Sequence, residues 1–404
     1  LKTPTACMIF CLSSTLGWTA EPLYEACLVY DPDEEDHGHV HASCIVECPN
    51  GDLRACWYEN GPELPEGFYR GDRDKSDDVR IGGARKEAGK KAWDPPLVMA
   101  DTFGVSDNNP CMVIDREERL WLFHPTLLCV PERSWGSALI QYHISSRYQG
   151  PGCPKWDHES LLIMRPRGFV DAYLSRLKKV AEKGQLSEAQ WEKERAAAAE
   201  KFKDPFRTRF GWMSRAHPLI RSDGALLLPL ANENYGLAAM AITQDAGKTW
   251  TFSDAVPQRG LIQPTVVECE DGKLMAFFRN GFPSRRILKS ESNDGGMTWS
   301  GVTETPLLHP GSGIEALRLR SGRLLMVYND KTHGPRDSLA VSLSDDDGET
   351  WPHIRHLEQE PGGRFDYPSV IQSKDGTLHA SYSFHLKTIK HVHFNEAWVE
   401  AGDP

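Results

Sequence analysis

His41 opens the short run His41-Ala42-Ser43, ahead of the turn Asn50-Gly51-Asp52-Leu53. An imidazole at the start of an inner strand can trade a proton near neutral pH or hydrogen-bond a carboxylate. Arg80, Arg215, His217, Asn232, Glu233 and His124 also stand at strand ends or hairpin starts, where side chains from separate strands can meet. Arginines gathered there would hold an anionic small molecule through paired hydrogen bonds. The gathering must be local, because 46 Lys and Arg against 57 Asp and Glu leave a formal charge of -11. Without a basic block, nucleic acid is not an expected partner. The ten cysteines lack CxxC spacing, so no zinc site is read. Several lie in apolar runs, as Cys56 does within Leu53 to Trp57, and are expected to be buried free thiols. No phosphate loop or redox motif is present and no cofactor is expected, while a structural calcium held by loop carbonyls would leave no mark in the sequence.

These side chains need a scaffold that brings distant strand ends together. The 404 residues are 40% hydrophobic and 25% charged, enough for a large core in several domains or one repetitive architecture. Self-similarity favours the second. A turn followed by an apolar strand recurs at Asn50-Gly51-Asp52-Leu53, Asp223-Gly224, Asp271-Gly272, Ser321-Gly322 and Asp375-Gly376, with a weaker copy at Arg116 to Trp121. Such turns between apolar runs mark hairpins, because they need positive φ. A second motif interleaves with the first, at Thr243 to Trp250, Ser292 to Trp299 and Ser344 to Trp351, reading Ser/Thr-x-Asp-x-Gly-x-Thr-Trp. In it Asp and Ser/Thr bond turn amides, Gly takes the left-handed corner and Trp packs under the hairpin. Degenerate copies end at Trp93 and Trp156. Six hairpins with stapled turns predict an all-β chain, a six-bladed β-propeller of four-stranded blades. The last blade should join an N-terminal strand within Pro22 to Tyr30 to C-terminal strands reaching Val392 to Val399. The outsized interval from Trp156 to Trp250 predicts an insertion, and the Ala-, Glu- and Lys-rich stretch 169–203 predicts a helical hairpin broken near Gly184 to Ser187.

The three good boxes resemble those of the sialidase (neuraminidase) superfamily, over roughly residues 22 to 400 apart from the insertion. His41-Ala42-Ser43, Asp78-Val79-Arg80-Ile81 and Gln263-Pro264-Thr265 most resemble its branch of sialidase-like neuraminidase-repeat proteins. The resemblance implies an arginine triad for a sugar carboxylate, a Tyr nucleophile primed by Glu, and an Asp acid/base. Arg279 in Phe278-Arg279-Asn280 resembles the second arginine, Arg336 ahead of Ser338 to Val341 the third, and Tyr367 in Phe365 to Ser369 the nucleophile. Asp77 and Asp78 lie near the acid/base position, within the charged run Asp72 to Asp78. Two positions depart. His41 stands where the first arginine is expected, and Gln263 where the priming Glu is. Glutamine cannot take the proton of a phenol whose free pKa is about 10, which leaves Glu315 in Ile314-Glu315-Ala316 as an alternative base.

The expected set is therefore Tyr367, His41, Asp78 and Glu315 for chemistry, with Arg279, Arg336, Arg80, Arg215 and Gln263 for binding. Three functions stay open: an exo-glycosidase of sialidase type on a terminal acidic sugar, a lyase resembling rhamnosyl-glucuronate lyases, and a non-catalytic glycan-binding propeller. Each has an acidic glycan as its partner. Residues 1–20 have the pattern of a secretory signal, Lys2 then the apolar run Ala6 to Leu12, so a secreted or periplasmic protein is expected. No stretch is long and apolar enough for a membrane helix.

Overall fold

The computed structural model describes residues 21–35, 37–71, 73–129, 133–280 and 285–404, and the signal-like stretch lies outside them. Six antiparallel sheets of four or five strands form six blades. Blade one runs His41–Glu47, Leu53–Asn60, Val79–Lys86, Leu97–Ala100, and blade four Leu261–Glu268, Leu274–Asn280, Arg286–Ser292, Thr303–Leu308. Blade five runs Glu315–Arg318, Leu324–Tyr328, Ser338–Ser344, His353–Gln359. Central strands such as Leu226–Asn232 and Leu324–Tyr328 are buried along their whole length, because neighbouring blades cover both faces. The outermost strand His353–Gln359 is mostly half-buried, with Ile354 and Gln359 exposed.

Blade six closes the ring. Its strands Phe365–Gln372, Leu378–Phe384 and Thr388–Phe394 take Tyr24–Leu28 as the outer member, with Tyr24 opposite Phe394 and Leu28 opposite Lys390. The C-terminal strand stops at Phe394, short of the expected Val399. Asn395 accepts the Trp398 N–H and caps a short helix, Glu396–Glu400.

The boxes staple the turns between third and fourth strands. Asp346 Oδ1 accepts the Thr350 N–H at 2.8 Å, Ser344 Oγ accepts the Gly348 N–H at 2.8 Å, and Trp351 donates to the Gly348 carbonyl at 3.2 Å. Trp299 and Trp351 are buried, whereas Trp250 is only partly so and packs edge-on against Trp121, Phe123 and Tyr142. Box turns and Asp-Gly turns lie at the same end of the blades. The other end, here the mouth, carries the loops between second and third strands and the crossings between blades. Trp351→Ala should therefore lower stability by about 3–5 kcal/mol in urea unfolding while leaving ligand affinity of the folded protein unchanged. A change in affinity at full stability would contradict the staple role.

The insertion consists of helices Phe169–Glu182 and Glu188–Lys201, the second opened by a capping box of Ser187 and Gln190. It is a crossing from blade two to blade three and so stands at the mouth.

Candidate functional site

Three innermost strands share one irregularity near the mouth. Pairing jumps from His41/Tyr58 to Cys44/Cys56 in blade one, from Ile262/Arg279 to Thr265/Phe277 in blade four, and from Asp366/Ser383 to Ser369/Ser381 in blade six. Two inner residues face one partner residue, which is a β-bulge. At each bulge a residue other than glycine has positive φ: Ala42 at 57°, Gln263 at 48° and Tyr367 at 51°. Backbone of that kind costs about 1–3 kcal/mol and concentrates at functional sites.

Tyr367 is the focus. Its Oη receives hydrogen bonds from Arg279 Nη1 at 2.9 Å and Gln263 Nε2 at 3.1 Å. Gln263 Oε1 accepts from Arg279 at 3.1 Å, and its Nε2 also donates to Glu233 at 3.0 Å. The amide is thereby fixed with one N–H on the phenol and the other on Glu233. Three guanidinium carbons, of Arg215, Arg336 and Arg279, stand 5.0, 5.6 and 6.0 Å from the ring centre. His41 meets the ring edge-on at 4.3 Å. A side chain at Gly313 would put its Cβ 2.9 Å from Tyr367 Cδ1, so that contact requires glycine.

The three arginines differ in what they have to spare. Arg336 pairs with Asp366 at 2.6 Å, and Asp366 also pairs with Arg364. Arg215 is wholly buried and donates to the carbonyls of Ser43 and Pro368, so it lends charge from below. Arg279 is committed to Tyr367 and Gln263 through one nitrogen.

Below Tyr367 the channel is plugged by an ion pair. Glu315 Oε1 accepts both the backbone N–H and Nδ1–H of His217, at 2.7 and 2.8 Å, and Oε2 accepts the Val370 N–H at 3.1 Å. His217 Nε2 lies 2.7 Å from the Ile45 carbonyl. With an acceptor at each ring nitrogen the imidazole is doubly protonated. Burial opposes that charge, but Cys44 and Glu315 hold the His217 pKa well above its ordinary value. Burial likewise opposes the Glu315 anion, and His217 holds its pKa below the usual carboxylate range.

The wall on the blade-one side holds His39, His41, Tyr58 and Asp74. Asp74 Oδ1 accepts from Tyr58 Oη at 3.1 Å and lies 2.6 Å from His39 Nε2. Burial would raise the Asp74 pKa, but its hydrogen-bonding partners His39 and Tyr58 lower it, to about 2. Burial lowers His41 to about 3, despite Asp366 and Asp74 nearby, so its ring is neutral and supplies no arginine-like charge.

A model of the BNR repeat-like domain matches residues 51–380. The chain belongs to this family. A curated sialidase of Micromonospora viridifaciens is 22% identical over 395 residues, covering 94% of this chain and 55% of the relative. The chain thus spans about half the length of the curated relative it matches. Among solved structures, a Hadza microbial sialidase aligns with a TM-score of 0.66 at 15% identity, over 93% of this chain and 69% of that one. An intramolecular trans-sialidase of Ruminococcus gnavus gives 0.63 at 12%, over 94% and 98%. A Dyadobacter fermentans protein of unknown function gives 0.65 at 17%, over 92% and 98%. These likenesses show the sialidase-like propeller fold.

In this BNR repeat-like protein the expected residues divide. Tyr367, His41, Arg279, Arg336 and Gln263 converge at the mouth, with Arg215 beneath. Glu315 does not reach the phenol, because its oxygens are taken by His217 and Val370. Arg80 is drawn away onto Glu59, its neighbour across strands two and three of blade one, at 3.0 Å. Asp78 is likewise turned onto Arg70, at 2.8 Å, and Asn60. Two carboxylates act on His41, Asp366 and, from the same charged run, Asp74. The placement of Asp74 carries no sequence signal, because it depends on a loop of the mouth folding back onto Tyr58. Ser383, whose Oγ accepts the Ala42 N–H and lies 2.9 Å from His41 Nδ1, was also unmarked.

Proposed function

We propose that this protein is an exo-acting enzyme of sialidase type that cleaves a terminal acidic sugar, with Tyr367 as the reacting group. The observation that carries the reading is Tyr367 Oη held by Arg279 and Gln263 inside a ring of three guanidinium groups. The unpaired side of Arg279, with Arg336, would orient the carboxylate. Arg215 would add charge compensation from beneath, in a site where fixed positive groups act without reorganisation. Tyr367 would then bond the anomeric carbon as the bond to the aglycone breaks, its phenolic proton passing by way of solvent to the departing oxygen; water would next cleave the sugar–tyrosine bond, giving its OH to the sugar and its proton back to the phenol.

A second reading is β-elimination from a uronate, with Tyr367 or His41 taking the proton next to the carboxylate. One observation favours it: among the described residues the groups bonded to Tyr367 Oη are donors, Arg279 and Gln263, and none is a priming carboxylate. Glu233 comes no closer than the far side of Gln263. The Asp74 carboxylate, ionised down to about pH 2, is also a poor proton donor to a leaving group.

Product analysis decides between them. The protein is incubated separately with 3′-sialyllactose and with rhamnosyl-glucuronate oligosaccharide. Free sialic acid supports hydrolysis, an ultraviolet-absorbing unsaturated uronate supports elimination, and neither product with saturable binding reduces the protein to a glycan-binding propeller.

A further inference from the structure

The layer beneath Tyr367 contains a nucleophile that neither reaction uses. Cys44, three residues after His41 on the first strand of blade one, is buried. Its sulfur lies 3.3 Å from His217 Nε2 and accepts the Met112 N–H of blade two at 3.2 Å. Cys56 stands directly opposite on the next strand and hydrogen-bonds to the same sulfur. His217 is in turn held by Glu315, at 2.8 Å. Carboxylate, imidazolium and sulfur are thus linked in series.

Those contacts decide the state of the sulfur. Met112, Cys56 and the doubly protonated His217 are all donors toward it, so Cys44 is the acceptor and its own proton is displaced. Burial opposes the anion, but the Cys56 thiol and His217 hold the Cys44 pKa well below the ordinary thiol range. Burial and the neighbouring Cys44 push Cys56 the other way, so it keeps its proton. A thiolate beside an imidazolium is the reactive form of cysteine, and peroxides oxidise it selectively. Directly opposed residues on antiparallel strands have Cα atoms about 4.5–5.5 Å apart, inside the roughly 4.4–6.8 Å that a disulfide spans. A reactive thiolate therefore sits against a thiol placed to resolve it.

We propose that Cys44 is a site of reversible oxidation by a hydroperoxide, ending in a disulfide with Cys56 that undoes the ion pair beneath Tyr367. The Cys44 sulfur attacks one oxygen of hydrogen peroxide, the O–O bond breaks, and the sulfur keeps that oxygen as a sulfenic acid. The other oxygen leaves as hydroxide and takes the Nε2 proton of His217, giving water. The Cys56 sulfur then displaces hydroxide from Cys44, and that hydroxide carries off the Cys56 proton as a second water. Two electrons have passed from the cysteine pair to the peroxide. Hydrogen peroxide is little larger than water, and local opening of the fold admits it to the buried sulfur. Once oxidised, Cys44 carries no charge and Glu315 faces a neutral imidazole. Arg215, two residues before His217, donates to the carbonyl of Ser43, next to Cys44. The change therefore reaches the guanidinium that lies 5.0 Å from the centre of the Tyr367 ring. Its effect on ligand binding rests on the acidic-sugar reading given above, while the thiol chemistry stands without it.

Peptide mapping of the full chain after graded exposure to hydrogen peroxide tests the chemistry. The Cys44 peptide should become joined to the Cys56 peptide before the exposed Cys153 is oxidised, the reverse of the order that exposure alone dictates. Dithiothreitol should separate the two peptides again. Cys56→Ser, a small change at a buried thiol, should instead leave Cys44 as a sulfenic acid that dimedone labels. Cys153 oxidised with Cys44 and Cys56 still reduced, or Cys44 joined to Cys111, overturns the proposal. Calorimetry with free sialic acid, before and after oxidation, tests the reach to the mouth. Affinity should fall roughly tenfold or more, the loss of one charged contact, and return with dithiothreitol. Unchanged affinity after complete oxidation overturns the switch. Absence of binding by the reduced protein, with the disulfide formed as expected, brings down the acidic-sugar reading alone.

Discussion

Tyr367→Phe should abolish turnover while leaving the substrate bound. The phenylalanine ring keeps the packing against Gly313 and His41 and the guanidinium groups around it, and removes only the oxygen held by Arg279 and Gln263. A group that transfers a proton or forms a bond in the transition state contributes roughly a hundred- to ten-thousand-fold, so kcat should fall by at least that range with KM little changed. Steady-state kinetics on whichever substrate yields product would show it. Retained activity would remove Tyr367 from the chemistry under both proposed reactions. A raised KM with normal kcat would make it a binding residue instead.

The second large effect falls on stability. Glu315→Ala removes the acceptor for two His217 N–H groups and for the Val370 N–H, and leaves the buried imidazolium without its carboxylate, with Cys44 Sγ at 3.3 Å as the remaining charge partner. Breaking a buried pair in this way costs about 3–5 kcal/mol. The loss should appear in chemical denaturation as a lower midpoint, largest at mildly acidic pH. Glu315 has its pKa held below the ordinary 4.5, so its contribution is complete above that value and fades as pH falls through the folded value. His217 is held above the ordinary 6.5, so its contribution is complete below that value and fades as pH rises through the folded value. Both act in full between about 4.5 and 6.5. A Glu315→Ala protein of normal stability but no activity would reverse this assignment and return the carboxylate to catalysis.

The propeller was legible because its signals are local. An Asp-Gly turn or a Ser-x-Asp-x-Gly box is completed by atoms within a few residues, and five of the six hairpin turns carry a Gly that the sequence displays. The helical hairpin was legible for the same reason, through composition and a break at Gly184 to Ser187. The end of the last strand was misread although Asn395-Glu396 ahead of an apolar turn is a capping signature. That Arg279 and Tyr367 meet at the mouth followed from the family resemblance of the segments carrying them, Phe278-Arg279-Asn280 and Phe365 to Ser369. Glu315 and Asp74 were not legible, because their roles follow from partners in other parts of the chain: His217 lies 98 residues from Glu315. The diversion of Arg80 onto Glu59 likewise depends on which residues face each other across two strands joined by a long loop.

The repeated bulge bears on how such a molecule diversifies. The kink belongs to the backbone, and the ladder pairs on either side of it set the direction in which its side chain projects. One codon decides what is presented there, at Gln263 or Tyr367 as at His41 just before Ala42, while the blade packs as before. Functional drift can then proceed by single replacements in separate blades, with each intermediate still a folded propeller. His41 and Gln263, each at or beside a bulge, stand where such replacements would fall.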